Sequence, residues 1–214
     1  RRDSRALSYH GQSFDYAEAA AEVQRRAATL AERGIERGSR VGLRAPNSLE
    51  WVWCAHAVLW LGATLVPLHP RASGEELAFQ CSALPLDLLL VDEPVDPSVD
   101  ATTATMPLEE ARGPEGAQCR PADVDLDDVM TVMFTSGTTG TPKAVPLTLQ
   151  NHLASATASA MRLGLCEDDH WLCCLPLCHV GGLAIVLRSA IYGTSFELLD
   201  EFDAPRVLDV LSSR

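Results

Sequence analysis

The sequence predicts an α/β fold in which parallel sheets are covered by helices. Short apolar runs typical of buried strands alternate with segments whose apolar residues recur every three or four positions, as on one face of a helix. Parallel strands need crossover connections, and helices that pack on both faces of the sheet provide them. The chain has 214 residues, of which 47% are hydrophobic. This is enough for one sizeable core or two small subdomains.

The clearest strand–helix alternation lies in residues 1–91. Asp15, with Glu18 three positions later, predicts a capped helix start, and Gly34 predicts its end. Ser48 is the predicted cap of a second, buried helix that ends at Gly62. The other predicted elements of this part are a hairpin at 5–14, strands at 41–43, 64–68 and 86–91, and a helix at 74–84.

Residues 92–122 differ from both flanking segments. Five prolines are mixed there with acidic residues, threonine and glycine, which predicts a surface connector with little regular structure. The chain is therefore divided into residues 1–91 as the first part of a large α/β domain, the connector, and residues 123–214 as a second α/β segment. The elements predicted in this last segment are strands at 129–134, 171–175 and 194–199, and helices at 149–163, at 182–191 and from Asp203 onward.

A run of small hydroxyl residues and glycines follows the strand at 129–134. It reads Thr-Ser-Gly-Thr-Thr-Gly-Thr-Pro-Lys from Thr135 to Lys143, and Lys143 is the only lysine in the chain. Convergent N–H and O–H donors with one cation are what a polyphosphate requires. The stretch is not a Walker A loop, since only two residues separate its glycines and a proline precedes the lysine. The predicted binding residues are Thr135, Ser136, Gly137, Thr138, Thr139, Gly140 and Lys143, and the alternative is an ordinary surface turn.

A second candidate site follows the strand at 171–175. His179 comes just past the strand end, and Val180, Gly181 and Gly182 lead into a helix. Ligands of open α/β sheets bind beyond the carboxyl ends of strands, and a helix N-terminus favours an anion nearby. His179 could thus hydrogen-bond a carboxylate or close over a pocket. The alternative is a histidine whose hydrogen bonds are satisfied by the local backbone.

Other polar positions have ordinary structural interpretations. His56 is predicted to be a core histidine, and Asp168 with Asp169 a turn rather than a metal pair. Arg188 either reaches a substrate carboxylate or interacts with the end of its helix, and the second is favoured. No metal site is predicted, because the spacing of Cys173, Cys174, Cys178 and His179 does not suit a zinc knuckle.

Composition excludes several classes of function. The net charge of −12 argues against nucleic-acid binding through a basic surface. The seven cysteines are an odd number and lie mostly in apolar segments, which predicts reduced, buried thiols in a cytoplasmic protein. We expect no secretory signal and no transmembrane segment, because the longest apolar run, residues 51–62, is too short to span a bilayer.

The Thr135–Lys143 stretch resembles the phosphate-binding loop of the adenylate-forming enzymes, which include acyl-CoA synthetases and luciferases. The resemblance extends over nearly the whole chain and is weakest across 92–122. VGLRAPN at 41–47 and GATLVPLHPR at 62–71 look like core strand segments of that family. LPLCHVGGLAIVLRSAIYG at 175–193 resembles the acyl-pocket segment of the o-succinylbenzoate–CoA ligases of menaquinone biosynthesis.

The resemblance implies an ATP-dependent, AMP-forming acid–CoA ligase that uses ATP with Mg²⁺ and coenzyme A. It implies that Thr135–Lys143 binds the β- and γ-phosphates, and that His179, as a catalytic residue, lines the acyl pocket with Val180, Gly181 and Gly182. Cys178 departs from the family, where an aromatic residue is common, and this leaves acyl specificity open.

The family's adenine-, Mg²⁺- and ribose-binding segments and its C-terminal small domain have no counterpart in these 214 residues. We therefore expect the chain alone to be inactive. The alternatives are another acyl- or aryl-acid adenylating enzyme, or a nucleotide-binding module without chemistry. A homodimer is compatible with the sequence.

Overall fold

Two sheets with helices packed against them form the fold. The computed structural model describes residues 2–95, 103–135 and 142–212. The strands are β1 (Arg5–Tyr9), β2 (Gln12–Asp15), β3 (Arg40–Arg44), β4 (Thr64–Leu68), β5 (Leu88–Val91), β6 (Thr105–Pro107), β7 (Val129–Thr135), β8 (Lys143–Thr148), β9 (His170–Cys173) and β10 (Ser195–Leu198). The helices are α1 (Tyr16–Glu32), α2 (Leu49–Trp60), α3 (Gly74–Ala83), α4 (Leu149–Leu163), α5 (Val180–Tyr192) and α6 (Ala204–Ser212), with a 3-10 helix at Leu108–Arg112.

Parallel pairing dominates both sheets, so the predicted fold class is confirmed. The larger sheet has the order β6-β5-β3-β4-β7-β8, and its strands are parallel except for the β7–β8 pair. The smaller sheet has the order β2-β1-β10-β9, in which β1 and β9 both run parallel to β10. Leu7 of β1 pairs with Phe196 of β10, so the beginning of the chain is held against its last strand.

The predicted helix boundaries have the expected caps. Asp15 and Glu18 form a reciprocal capping box at the start of α1, and the Ser48 hydroxyl accepts the Trp51 N–H at the start of α2. Gly34 and Gly62 follow the two helices with φ of +85° and +67°, a conformation that glycine adopts without strain. Local capping chemistry was therefore sufficient to place these helix ends.

The core has two parts that lie on the two faces of the larger sheet. The first combines side chains of both sheets with α1, α2 and α5, and Trp51 is its largest fully buried member. The second is smaller and packs Leu77 and Cys81 of α3 against Val66 and Leu68 of β4. Helices thus cover the larger sheet on both faces, as the sequence predicts.

The expectation of little regular structure at 92–122 is wrong for residues 105–112. Strand β6 pairs with β5 there, and the 3-10 helix follows directly. Met106, Leu108 and Ala111 are buried. A three-residue edge strand needs only one inward side chain, so it leaves no periodic pattern in the sequence. The division of the chain into three parts stays a prediction, and each sheet takes strands from both α/β parts.

The sequence also does not predict strand β8. It lies at the edge of the larger sheet and includes Pro146, which pairs with Val132 of β7. Proline is tolerated on an edge strand, because one side of the strand has no partner for its missing N–H. Over the described ranges, no helix has both the length and the apolar character that a membrane span requires.

Candidate active site

The two ends of the predicted phosphate loop are held by neighbouring strands. Thr135 ends β7, Lys143 begins β8, and the two residues pair directly across the antiparallel ladder. Lys143 is exposed. The hairpin therefore fixes where the loop leaves and re-enters the sheet. The remaining predicted donors, Ser136, Gly137, Thr138, Thr139 and Gly140, lie outside the described residues.

His179 occupies the N-cap position of α5. Its backbone N–H donates to the Pro176 carbonyl at 3.1 Å, and its own carbonyl accepts the Leu183 N–H at 3.0 Å. Its side chain makes no capping hydrogen bond and is exposed. The backbone is thus fixed by the helix start while the imidazole remains available for a ligand.

A cavity of about 400 Å³ brings the two candidate regions together. Thr135 and Pro142 from the ends of the loop line it, as do His179 and Val180 from the start of α5. Pro67, the penultimate residue of β4, also lines it. Parallel strands β4 and β7 both end at this edge of the sheet, which is where ligands of α/β folds bind. The assigned roles of these residues stay predictions.

Asn47 fixes the loop that carries His179. Its Nδ2 donates to the carbonyls of Leu175 and Leu199, each at 3.0 Å, and its Oδ1 accepts the Leu177 N–H at 2.8 Å. Asn47 is buried in the turn after β3. In the sequence, Asn47 stands out only as the last residue of the VGLRAPN segment at 41–47. No local signal reveals its role, because its partners lie more than a hundred residues away.

Gly182 has a packing reason to lack a side chain. A Cβ there would lie 2.5 Å from the Pro176 carbonyl oxygen and 2.8 Å from that of Leu175. Gly181 is less constrained, because its Cβ would meet only the Leu175 side chain, at 3.2 Å. The predicted contact of both glycines with a substrate stays a prediction, but Gly182 also allows the loop to fold tightly onto the helix start.

His69, Cys178 and His179 meet at the wall of this cavity. Their potential ligand atoms all lie within 4.8 Å of one another, and the two imidazole rings are 5.8 Å apart between centroids. Burial raises the pKa of the Cys178 thiol to about 11. Burial, followed by the neighbouring His179 and Arg71, lowers the pKa of His69. The three groups therefore include a protonated thiol and a neutral imidazole near pH 7.

The other polar candidates have structural partners. Arg188 donates to the hydroxyls of Ser155, at 2.9 Å, and Ser159, at 3.3 Å, and so ties α5 to α4. The Asp169 carboxylate accepts the Cys166 N–H at 2.9 Å within a turn. The turn at Asp169 agrees with the structural interpretation of the Asp168–Asp169 pair. The expected interaction of Arg188 with the end of its own helix is not found, because the last turn of α5 has no basic residue and the guanidinium reaches α4 instead.

The cysteines of the chain are all free thiols in the structure. Those buried are Cys54, Cys81, Cys173 and Cys178. Cys173 donates to the Gly182 carbonyl at 3.7 Å, and it is absent from the cluster formed by His69, Cys178 and His179. The cluster in the structure therefore differs from the set of Cys173, Cys174, Cys178 and His179 that the sequence suggests and its spacing argues against.

Known proteins similar to this chain share its sequence pattern and its fold. A family model described as AMP-binding enzyme matches residues 1–213. The 2-succinylbenzoate–CoA ligase of Bacillus cereus is 37% identical over 185 residues, which are 86% of this chain and 38% of that protein. The chain thus spans less than half the length of this relative.

Solved structures give the same result. The o-succinylbenzoate CoA synthetase of Bacillus subtilis in complex with the acyl-adenylate intermediate matches with a TM-score of 0.91 and 33% identity, over 98% of this chain and 56% of that one. The same enzyme in complex with ATP and a magnesium ion matches with a TM-score of 0.89 and 33% identity, over 98% of this chain and 57% of that one. Because the family model matches almost the whole length of the chain, the chain belongs to the AMP-binding enzyme family.

Proposed function

We propose that this chain forms the phosphate-binding and acyl-pocket part of an o-succinylbenzoate–CoA ligase of menaquinone biosynthesis. The full-length protein joins a carboxylate to ATP as an acyl-adenylate, with release of pyrophosphate, and then transfers the acyl group to the thiol of coenzyme A. The observation that carries the proposal is the meeting of the loop ends and His179 at one cavity. The 37% identical ligase of Bacillus cereus supports the choice of substrate.

The loop from Thr135 to Lys143 binds the β- and γ-phosphates of ATP in this proposal. Its hydroxyl and N–H donors and the Lys143 ammonium stabilise the negative charge that shifts toward pyrophosphate as the acyl-adenylate forms. Pairing of Thr135 with Lys143 across the hairpin fixes the two ends of the loop before ATP arrives. Charge-stabilising groups that are held in place before the reaction need little reorganisation during it.

His179 orients the acyl substrate or closes over it. Its exposed imidazole extends from the first turn of α5, and the helix N-terminus adds partial positive charge near the substrate carboxylate. The Asn47 hydrogen bonds hold the preceding loop in place. His179 therefore depends on a residue of the distant β3–α2 turn for its position.

The proposal is tested by pyrophosphate release from the full-length protein with ATP and o-succinylbenzoate. Lys143→Ala should lower kcat/KM by about 10²- to 10³-fold, the loss typical of one preorganised charge-stabilising group. Arg33→Ala removes an exposed cation that pairs at 3.8 Å with Glu110, and it should leave turnover unchanged. Wild-type turnover by Lys143→Ala would refute the role of the loop. The 214-residue chain alone should show no turnover.

A different carboxylate is the second candidate, because Cys178 replaces the aromatic residue that is common in the family. Cys178 is buried beside His179, so its smaller side chain changes the shape of the pocket wall. Measuring kcat/KM for benzoate, fatty-acid and o-succinylbenzoate substrates distinguishes the two candidate functions. Preference for another acid by more than about tenfold in kcat/KM, or about 1.4 kcal/mol, would overturn the o-succinylbenzoate assignment.

A further inference from the structure

A nitrogen and sulfur ligand set forms where two separate segments of the chain converge. His69 follows β4, while Cys178 and His179 precede α5. Their ligand atoms lie within 4.8 Å of one another. Imidazole and thiolate are the ligands that borderline-soft divalent ions prefer, whereas Mg²⁺ prefers oxygen. The chemistry of the set therefore differs from that of the magnesium that accompanies ATP.

We propose that His69, Cys178 and His179 form a binding site for a zinc-class divalent ion, with one sulfur and two nitrogen ligands. Zinc–ligand distances in a tetrahedral site place neighbouring ligand atoms about 3.5 Å apart. The observed spacing thus needs only a small contraction. His179 can supply it, because its side chain is exposed and makes no capping hydrogen bond, while the buried Cys178 serves as the fixed point.

His69 contributes through the nitrogen that faces away from its own turn. Its Nδ1 accepts the Arg71 N–H at 3.1 Å, so Nε2 is the nitrogen left for the ion. Ligation through Nε2 moves the ring proton to Nδ1 and breaks this hydrogen bond. At Cys178 the S–H bond breaks, a sulfur–metal bond forms, and the proton passes to solvent. Ligation thus breaks one weak hydrogen bond and the Cys178 S–H bond, and the three protein ligands replace water molecules of the hydrated ion, which pass to solvent.

The site leaves a fourth position open toward the cavity. Three protein ligands with an open position are typical of zinc sites that bind water or a substrate group. Thr135 and Glu76 line the same cavity, and the Glu76 carboxylate adds negative charge near the ion. Ligation also occupies His179, so an ion here and the acyl-pocket role of His179 exclude one another. This last consequence rests on the proposed function, but metal binding itself does not.

The test is titration of the metal-free, reduced protein with Co²⁺, followed by displacement with Zn²⁺. Cobalt bound by one thiolate and two imidazoles gives a sulfur-to-metal charge-transfer band in the near ultraviolet and tetrahedral bands in the visible. Cys178→Ser should abolish the charge-transfer band. His69→Gln should keep the band but weaken binding by more than the roughly 10- to 100-fold that loss of an outer-shell partner costs.

Matched controls are Cys174→Ser and Cys166→Ser, which remove thiols outside the cluster and should leave the spectrum unchanged. X-ray absorption of the zinc-loaded wild-type protein gives an independent readout if Cys178→Ser does not fold, and it should show one sulfur and two nitrogen neighbours. Absence of the charge-transfer band in the wild type, its persistence in Cys178→Ser, or absence of a sulfur neighbour would each overturn the proposal. Because none of these measurements depends on turnover, failure of the site and failure of the ligase assignment are distinguishable.

Discussion

The carboxamide oxygen of Asn47 accepts a 2.8 Å hydrogen bond from the backbone N–H of Leu177. With its Nδ2 bonds to Leu175 and Leu199, the side chain satisfies three backbone groups from two separate segments. Buried backbone groups without hydrogen-bond partners are costly. The Asn47 side chain supplies here the hydrogen bonds that a helix or a strand would otherwise supply. The order of the loop before α5 therefore depends on the turn after β3.

Asn47→Ala should destabilise the protein by about 2–4 kcal/mol, because it leaves buried backbone donors and acceptors unpaired. Urea unfolding measures the loss, and limited proteolysis should show new cleavage near Leu175. The matched control is Asn151→Ala, which removes an exposed side chain from the capping box of α4. It should cost about 1 kcal/mol and leave the loop resistant. Equal effects of the two variants would contradict a special role for Asn47.

Gly182→Ala should be destabilising by about 1–3 kcal/mol, the cost of overpacking against atoms that cannot move aside. The clash is with the carbonyl oxygens of Pro176 and Leu175, which are backbone atoms. Gly181→Ala, one position earlier, meets only a flexible Leu175 side chain. It should be neutral or stabilise α5 by up to about 1 kcal/mol, since alanine has the higher helix propensity. Thermal unfolding of the two variants compares them directly, and the reverse ranking would refute this packing argument.

Arg26 holds α1 and α2 together by charge pairing in a buried position. Its guanidinium contacts Glu22 at 2.5 Å and also pairs with Glu50 of α2, and the Arg26 side chain is fully buried. Arg26→Met keeps much of the apolar stem but leaves the Glu50 carboxylate without its cation, whereas Glu22 keeps its ion pair with Arg25 at 3.0 Å. Since both glutamates keep some exposure, we expect a loss of about 2–4 kcal/mol, toward the lower end of values for broken buried pairs.

Arg206→Met provides the comparison for Arg26. Arg206 is exposed and pairs with Asp209 at 3.4 Å within α6. Its loss should change the free energy of unfolding by less than about 0.5 kcal/mol, the usual size for such pairs. Denaturant titration of both variants gives the two values. A loss below about 1 kcal/mol for Arg26→Met would mean that hydrophobic packing, rather than the ion pairs, joins the helices.

The parts of the fold that could be predicted are those whose signals are local. Asp15 and Ser48 mark helix starts through bonds to residues three positions away, so a short window contains the whole signal. Asn47 and His69 act through partners more than a hundred residues away, and only the assembled sheets bring these together. Strand β8 escaped prediction because Pro146 argues against a strand unless its edge position is known.

The candidate site was predictable to a similar extent. His179 was found because it lies between a strand end and a glycine-rich helix start, which is a sequential pattern. That Thr135 and His179 line the same cavity required the parallel order of the strands. The packing role of Gly182 was hidden for the same reason, because a glycine that avoids a backbone clash and a glycine that makes room for a ligand look alike in sequence.

His56 should make the stability of the protein depend on pH between about 4 and 6.5. It lines an apolar cavity of about 390 Å³ with Trp53 and Leu59, and burial lowers its pKa to about 4. An unfolded histidine titrates near 6.5, so between these values the unfolded state binds more protons than the folded state. Stability is therefore lost as the pH falls through this window. This shift in the pKa of His56 lowers the free energy of unfolding by about 2 kcal/mol when the pH falls from 7 to 5.

His56→Leu should remove this part of the pH dependence, and urea unfolding at pH 7 and pH 5 measures it. Leu59→Ala is the matched control, because it alters the same cavity without removing a titrating group. It should lower stability at both pH values while it keeps the wild-type difference between them. If His56→Leu also kept the full difference, the proton uptake would belong to other groups. His69 and His152, whose pKa values burial also lowers, would then be the next histidines to replace.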